Sequence, residues 1–272
     1  MKKFYYLLIT LIFISCAKEE LLNTYNLNIN NTEGGSVIGQ EGIFEEGTST
    51  LLIASPESVG YINYKFSHWK VNDKVIYDNP ITLTITSNLS ITPVFTKRKM
   101  EEDEVYSQIT EDALKTYLSA FIKDAKRWGV DLSHVNIQDS FFEWVTDESF
   151  MAASIAYNQP SVVYIKLNTD YWKGLSKEDK IKVMWHEFGH DILGLDHLCM
   201  GGEIMSGQHQ NCKGPVGSGE YFNVYGLHYN DSNNETNFQR AINRMFNKDN
   251  QIFLDSRTSF TSKGSGDGVI YN

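Results

Sequence analysis

His186-Glu187-Phe188-Gly189-His190-Asp191-Ile192-Leu193-Gly194-Leu195-Asp196-His197, followed shortly by Glu203-Ile204-Met205-Ser206, is the stretch that decides how this 272-residue chain is read. Residues four apart on a helix share a face, so His186 and His190 can grip one ion. Glu187 projects about a quarter-turn away, within reach of a water held by that ion. Gly194 can end the helix with φ > 0 and swing the chain back, bringing a third ligand to the open side. The pattern predicts a catalytic zinc site. The helix has its own logic as well. Ser176 and Asp179 suit a capping box, and Glu178 with Asp179 places acid in the first turn. Ile181, Met184, Trp185, Phe188 and Ile192 form an apolar stripe at helical spacing.

These residues resemble the metzincin zinc peptidases, whose motif runs HExxHxxGxxH and is followed by a Met-turn. Gly194 and His197 each lie one residue further from His186 than that motif places them. The spacing from glycine to ligand is kept in Gly194-Leu195-Asp196-His197, which favours His197 as third ligand. Asp196 occupies the family's original distance and stands as the alternative. The resemblance implies one catalytic Zn²⁺ on His186, His190 and His197, with Glu187 as general base in hydrolysis of a peptide bond. It also implies that Met205 floors the site and that an edge strand before the zinc helix receives extended peptide. Val162 to Leu167 is the expected strand. Tyr221 and Tyr225 are candidates for assisting the oxyanion. A thermolysin-like arrangement would recruit Glu203 or Glu220 instead. A structural zinc site would add a fourth ligand such as Asp196, His209 or Cys199.

The N-terminus reads as a targeting segment. Lys2 and Lys3 precede an apolar run from Phe4 to Ile14, too short to span a bilayer as a helix. Ser15-Cys16 resembles a lipobox, which makes residues 1–15 a signal peptide and Cys16 the lipidated residue. Residues 16–23 are then a tether. Cys16-Ala17-Lys18-Glu19-Glu20 resembles the surface-export signal of Bacteroidetes lipoproteins. Outer-membrane anchoring with exposure at the cell surface is therefore expected, with contact to the membrane through the lipid alone. With Cys16 lipidated, Cys199 and Cys212 are left as either a disulfide or two free thiols. A net charge of −10 disfavours a nucleic-acid partner.

Residues 24–97 read as an all-β module. Tyr25, Leu27 and Ile29 alternate with polar residues, and strands are expected over 50–54, 61–69, 81–86 and 91–95. Gly34-Gly35-Ser36-Val37, Glu46-Gly47-Thr48, Ala54-Ser55-Pro56, Gly60-Tyr61, Phe66-Ser67-His68-Trp69 and Pro93-Val94-Phe95 resemble the divergent internalin-type B repeat. That resemblance implies a small β-grasp-like spacer or adhesive unit, with a surface ligand as candidate partner and with His68 and Trp69 in its core. The charge-dense residues 98–104 read as a solvated linker.

From 105 to 272 the pattern is α+β. Leu114, Tyr117, Leu118, Phe121, Ile122, Ala125 and Trp128 mark a helix with Thr110 as cap and Gly129 as stop. Val135 to Gln138 and Val162 to Leu167 are expected strands. Phe238, Ala241, Ile242, Met245 and Phe246 suggest a last helix, and the tail after about 254 reads as loose. The layout resembles a compact metzincin-like catalytic domain, and the span 105–250 also resembles zinc-dependent peptidase lipoproteins of the Bacteroidetes. The fold class expected for the whole chain is α+β, a β module followed by a zinc peptidase domain that acts on peptide or protein. The other class of function left open is a non-catalytic surface binding protein with a structural zinc.

Overall fold

Apolar alternation in the first third of the chain becomes a set of short strands in the computed structural model, which describes residues 22–146, 150–155, 161–195, 197, 202–206 and 226–247. These strands are β1 (Thr24–Ile29), β2 (Gly35–Ile38), β3 (Gly42–Glu45), β4 (Ser49–Pro56), β5 (Tyr64–Val71), β6 (Lys74–Ile76), β7 (Ile81–Thr84) and β8 (Leu89–Lys97). Five of them form a sheet in the order β3-β1-β8-β5-β6, and β2-β4-β7 form a second. β1 runs antiparallel to β3 and parallel to β8. Leu27, Leu52, Trp69, Ile85 and Ile91 fill the interior of this part of the chain. The Trp69 indole N–H donates to the Asp78 carbonyl at 3.1 Å, so its polar atom is satisfied. His68 packs beside Tyr77.

The chain divides into two compact units. The first comprises Met1–Thr32, Ser36–Ser55 and His68–Val94, and the second Glu33–Gly35, Pro56–Ser67 and Phe95–Asn272. The helices belong to the second: α1 (Leu114–Arg127), α2 (Thr169–Trp172), α3 (Lys177–Asp191) and α4 (Phe238–Phe246). A small sheet accompanies them, β9 (Phe141–Val145), β10 (Ala152–Ser154) and β11 (Tyr164–Asn168), in the order β10-β11-β9. β11 is parallel to β9 and antiparallel to β10. The core is aromatic where α1 meets α3: Phe121 lies 5.1 Å from Phe188 and 5.5 Å from Trp185, ring centre to ring centre. Among the described residues no helix is long and apolar enough to cross a membrane.

Four expectations change. Val135 to Gln138 is a turn, because the Asn136 side chain accepts from the N–H groups of Gln138 and Asp139. The strand follows it, at β9. Thr110 does not cap α1, which begins after Ala113; the Thr110 N–H instead donates to Thr116 Oγ1. The segment 98–104 is not simply solvated. Met100 and Asp103 are buried, and Asp103 takes a bidentate pair from Arg127 at 2.6 and 3.1 Å. β11 is the central strand of its sheet, so among the described strands β10, not residues 162–167, is the edge beside α3.

Candidate metal centre

Helix α3 starts as its residues dictate. Ser176 Oγ accepts from the Asp179 N–H at 3.1 Å, and Glu178 and Asp179 face the positive end of the helix dipole. Its end is equally specified. Gly194, at φ +66°, turns the chain, while the N–H groups of Gly194 and Leu195 bond back to the carbonyls of His190 and Gly189 at 3.2 and 3.0 Å. The return brings His197 over the helix. His186 Nε2 then lies 3.1 Å from His190 Nε2 and 3.1 Å from His197 Nε2. The candidate ligand atoms of the three rings all lie within 4.8 Å of one another.

The chemistry of this donor set can be tested on the structure itself. His186 Nδ1 lies 2.7 Å from the Ile204 carbonyl, and His190 Nδ1 lies 2.7 Å from the Leu195 carbonyl. A carbonyl oxygen only accepts, so each Nδ1 carries the ring's hydrogen and each Nε2 presents a bare lone pair. Burial, reinforced by His197, pushes His186 down to about 3. Burial likewise holds His190 well below the ordinary histidine value. The His186 and His190 rings therefore stay neutral, and their unprotonated Nε2 atoms face each other at 3.1 Å. That arrangement is repulsive until a cation sits among them. Two nitrogens on a tetrahedral zinc, each at 2.0–2.1 Å, lie roughly 3.3 Å apart. The three histidines fit a divalent metal, and the two carbonyls supply the outer contacts that orient such ligands.

Glu187 is buried. The Ser154 N–H donates to it, while Oε2 has no partner among the described residues. Burial raises its carboxyl to about 8, against the pull of the Ser154 bond. One oxygen is held by the Ser154 N–H and the other has no partner among the described residues; a cation among the histidines would favour the ionised carboxylate that a base acting on water requires. Met205 is buried under α3. A Cβ added to Gly189 would meet its Sδ at 2.4 Å, so the glycine just before His190 makes room for the methionine.

His186, Glu187, His190, His197 and Met205 are thus brought to one place. Glu203 is not: its carboxylate lies 2.9 Å from Arg240 and 2.8 Å from Arg244, which removes it as a thermolysin-like third ligand. Asp196, Cys16, Cys199, Cys212, His209, Glu220, Tyr221 and Tyr225 lie outside the described residues. Sequence reasoning missed the carbonyls of Leu195 and Ile204 and the N–H of Ser154, because main-chain groups leave no mark in a residue pattern. It also missed Arg240 and Arg244, whose spacing of four on one helix face was the available signal. A third omission is Asp124, buried against α3, which accepts from Tyr106 at 2.7 Å and Trp185 at 2.9 Å.

No curated protein and no solved structure matches the chain. No metzincin or other peptidase family model matches it either. Residues 25–99 match the family model of the divergent InlB B-repeat domain, and that repeat is the part of the chain to which comparison gives a family.

Proposed function

We propose that the second unit is a metzincin-like zinc endopeptidase, carried on the cell surface as a lipoprotein with the B-repeat domain before it. The observation that carries this reading is the trio of histidines with converging Nε2 atoms, next to a buried glutamate whose Oε2 has no partner among the described residues. His186, His190 and His197 would hold the ion. Zinc bound there supplies Lewis acidity, polarising a water and a substrate carbonyl so that attack proceeds near neutral pH. Glu187 takes the proton of the attacking water on its available oxygen and passes it to the departing amine nitrogen. The Ser154 N–H keeps the other oxygen in place. β10 is the edge among the described strands of its sheet, and an extended peptide laid along it would run next to Glu187.

A structural zinc site fills its positions with protein ligands, and here a fourth would have to come from Asp196, His209 or Cys199, outside the described residues. The buried Glu187 beside the trio, with Oε2 unpartnered among the described residues, favours catalysis over the alternative, a surface binding protein in which the metal is structural. The test is zinc content and cleavage of a broad peptide library by the wild type, Glu187→Ala and His197→Ala. We expect about one zinc per chain, cleavage abolished in Glu187→Ala with zinc retained, and weakened zinc binding in His197→Ala. Zinc bound with no peptide cleaved would turn the reading to the binding protein.

A further inference from the structure

The turn that serves the metal centre is itself held from another element. Glu203 is 3% exposed, and its Oε1 receives the Nη1 groups of Arg240 and Arg244, which stand four residues apart on α4. Arg240 Nη2 also donates to the carbonyls of Gly202 and Glu235. Within the turn, the Glu203 N–H donates to Ser206 Oγ at 3.0 Å and the Ser206 N–H to the Glu203 carbonyl at 3.1 Å. Gly202, at φ +76°, has no room for a side chain, since a Cβ would meet the Glu235 carbonyl oxygen at 2.4 Å. The next two residues face the centre. Ile204 offers the carbonyl that takes the hydrogen of His186, and Met205 lies against Gly189.

A buried ion pair adds little to stability over well-packed apolar side chains, so stability is a weak account of this one. Its position gives it another consequence. Any shift of Glu203 moves the Ile204 carbonyl, and that carbonyl sets both the tautomer and the orientation of the His186 ring. We propose that Glu203, Arg240 and Arg244 are positioning residues of the metal centre, clamping the turn at 202–206 so that His186 meets the ion with Nε2 aimed and unprotonated. The inference rests on the metal-binding reading above. It adds α4, remote in sequence from the histidines, to the parts that set metal affinity.

The experiment titrates the full chain with zinc against a competing chelator, and records the visible spectrum with cobalt in zinc's place. The variants are Glu203→Gln, Arg244→Met and Arg244→Lys, beside Asp103→Asn. Asp103 with Arg127 is a comparably buried ion pair, and the described partners of the Asp103 side chain, Val105, Arg127 and Tyr229, lie outside the turn, so it serves as the control for loss of a buried pair. We expect zinc affinity to fall about ten- to a hundredfold in Glu203→Gln and Arg244→Met, with the cobalt bands shifted. Arg244→Lys should recover much of that affinity, and Asp103→Asn should bind as the wild type does. Unchanged affinity and spectrum in Glu203→Gln and Arg244→Met would overturn the clamp, as would an equal loss in Asp103→Asn. A wild type that binds no zinc would overturn the metal reading and the clamp together, an outcome distinct from unchanged variants of a zinc-binding parent.

Discussion

At His186 and His190 the choice of tautomer is made by main-chain carbonyls, and at Glu187 the choice of which oxygen stays available is made by one N–H. The same kind of local contact governs Asp124, a carboxyl buried on α1 against α3. Burial raises it to about 6 from an ordinary 3.8, although Tyr106, Arg127 and Trp185 pull the other way. An acid whose folded value is raised takes up its proton more readily in the folded state. Its contribution to stability is complete below about pH 4 and is lost as the pH climbs through about 6. A difference of that size is worth about 3 kcal/mol. Asp124→Asn keeps an oxygen to accept from Tyr106 and Trp185 and removes the titration. In urea unfolding of the metal-free protein, Asp124→Asn should therefore gain on the wild type by up to about 3 kcal/mol between pH 4 and pH 7. Parallel stability profiles for the two would show that Asp124 stays ionised throughout.

The elements that were legible in the sequence are those whose signal is local. α3 and α4 announce themselves by apolar residues at helical spacing, and α3 also by its cap and its terminating glycine. β9 was displaced from its expected place because Val135 and Ile137 suggested alternation, while the Asn136 side chain had already closed a turn there. Within α3, Gly189 offers a test of helix against packing. Alanine is the better helix former by about 1 kcal/mol, so propensity alone would make Gly189→Ala stabilising. A Cβ there meets Met205 Sδ at 2.4 Å and Met245 Sδ at 3.6 Å, and a methionine displaced from a filled core costs about 1–3 kcal/mol. We expect Gly189→Ala to lose stability by urea unfolding, and Gly189→Ala with Met205→Ala to lose less than the two single changes added. A stabilised single variant would mean that Met205 does not fill that space.

At the scale of the whole molecule, each compact unit has its own interior, and the histidine trio belongs to the second. A ligand that binds the folded state stabilises it by mass action, so a hundredfold excess of zinc over its dissociation constant adds about 2.7 kcal/mol. In calorimetry, chelation should lower the unfolding temperature of the second unit and leave that of the first in place. Equal movement of both, or of neither, would count against a metal centre confined to the second unit. The acidic balance of the chain, −10 over 272 residues, is a property the sequence states outright.

By itself the sequence determined what depends on neighbours along the chain. The spacing of His186, Glu187 and His190, the stop at Gly194 and the glycine-punctuated strands of the B-repeat domain all belong to this class, because helix and turn geometry act over a few residues. Only the tertiary structure decided which carbonyls hold the rings, that His197 lies with His186 and His190, that Glu203 answers to Arg240 and Arg244, and that β10 rather than β11 is an edge among the described strands. Those contacts join residues far apart along the chain. Packing chooses among several partners that a linear pattern leaves equally eligible, and burial then shifts the protonation of the groups it encloses.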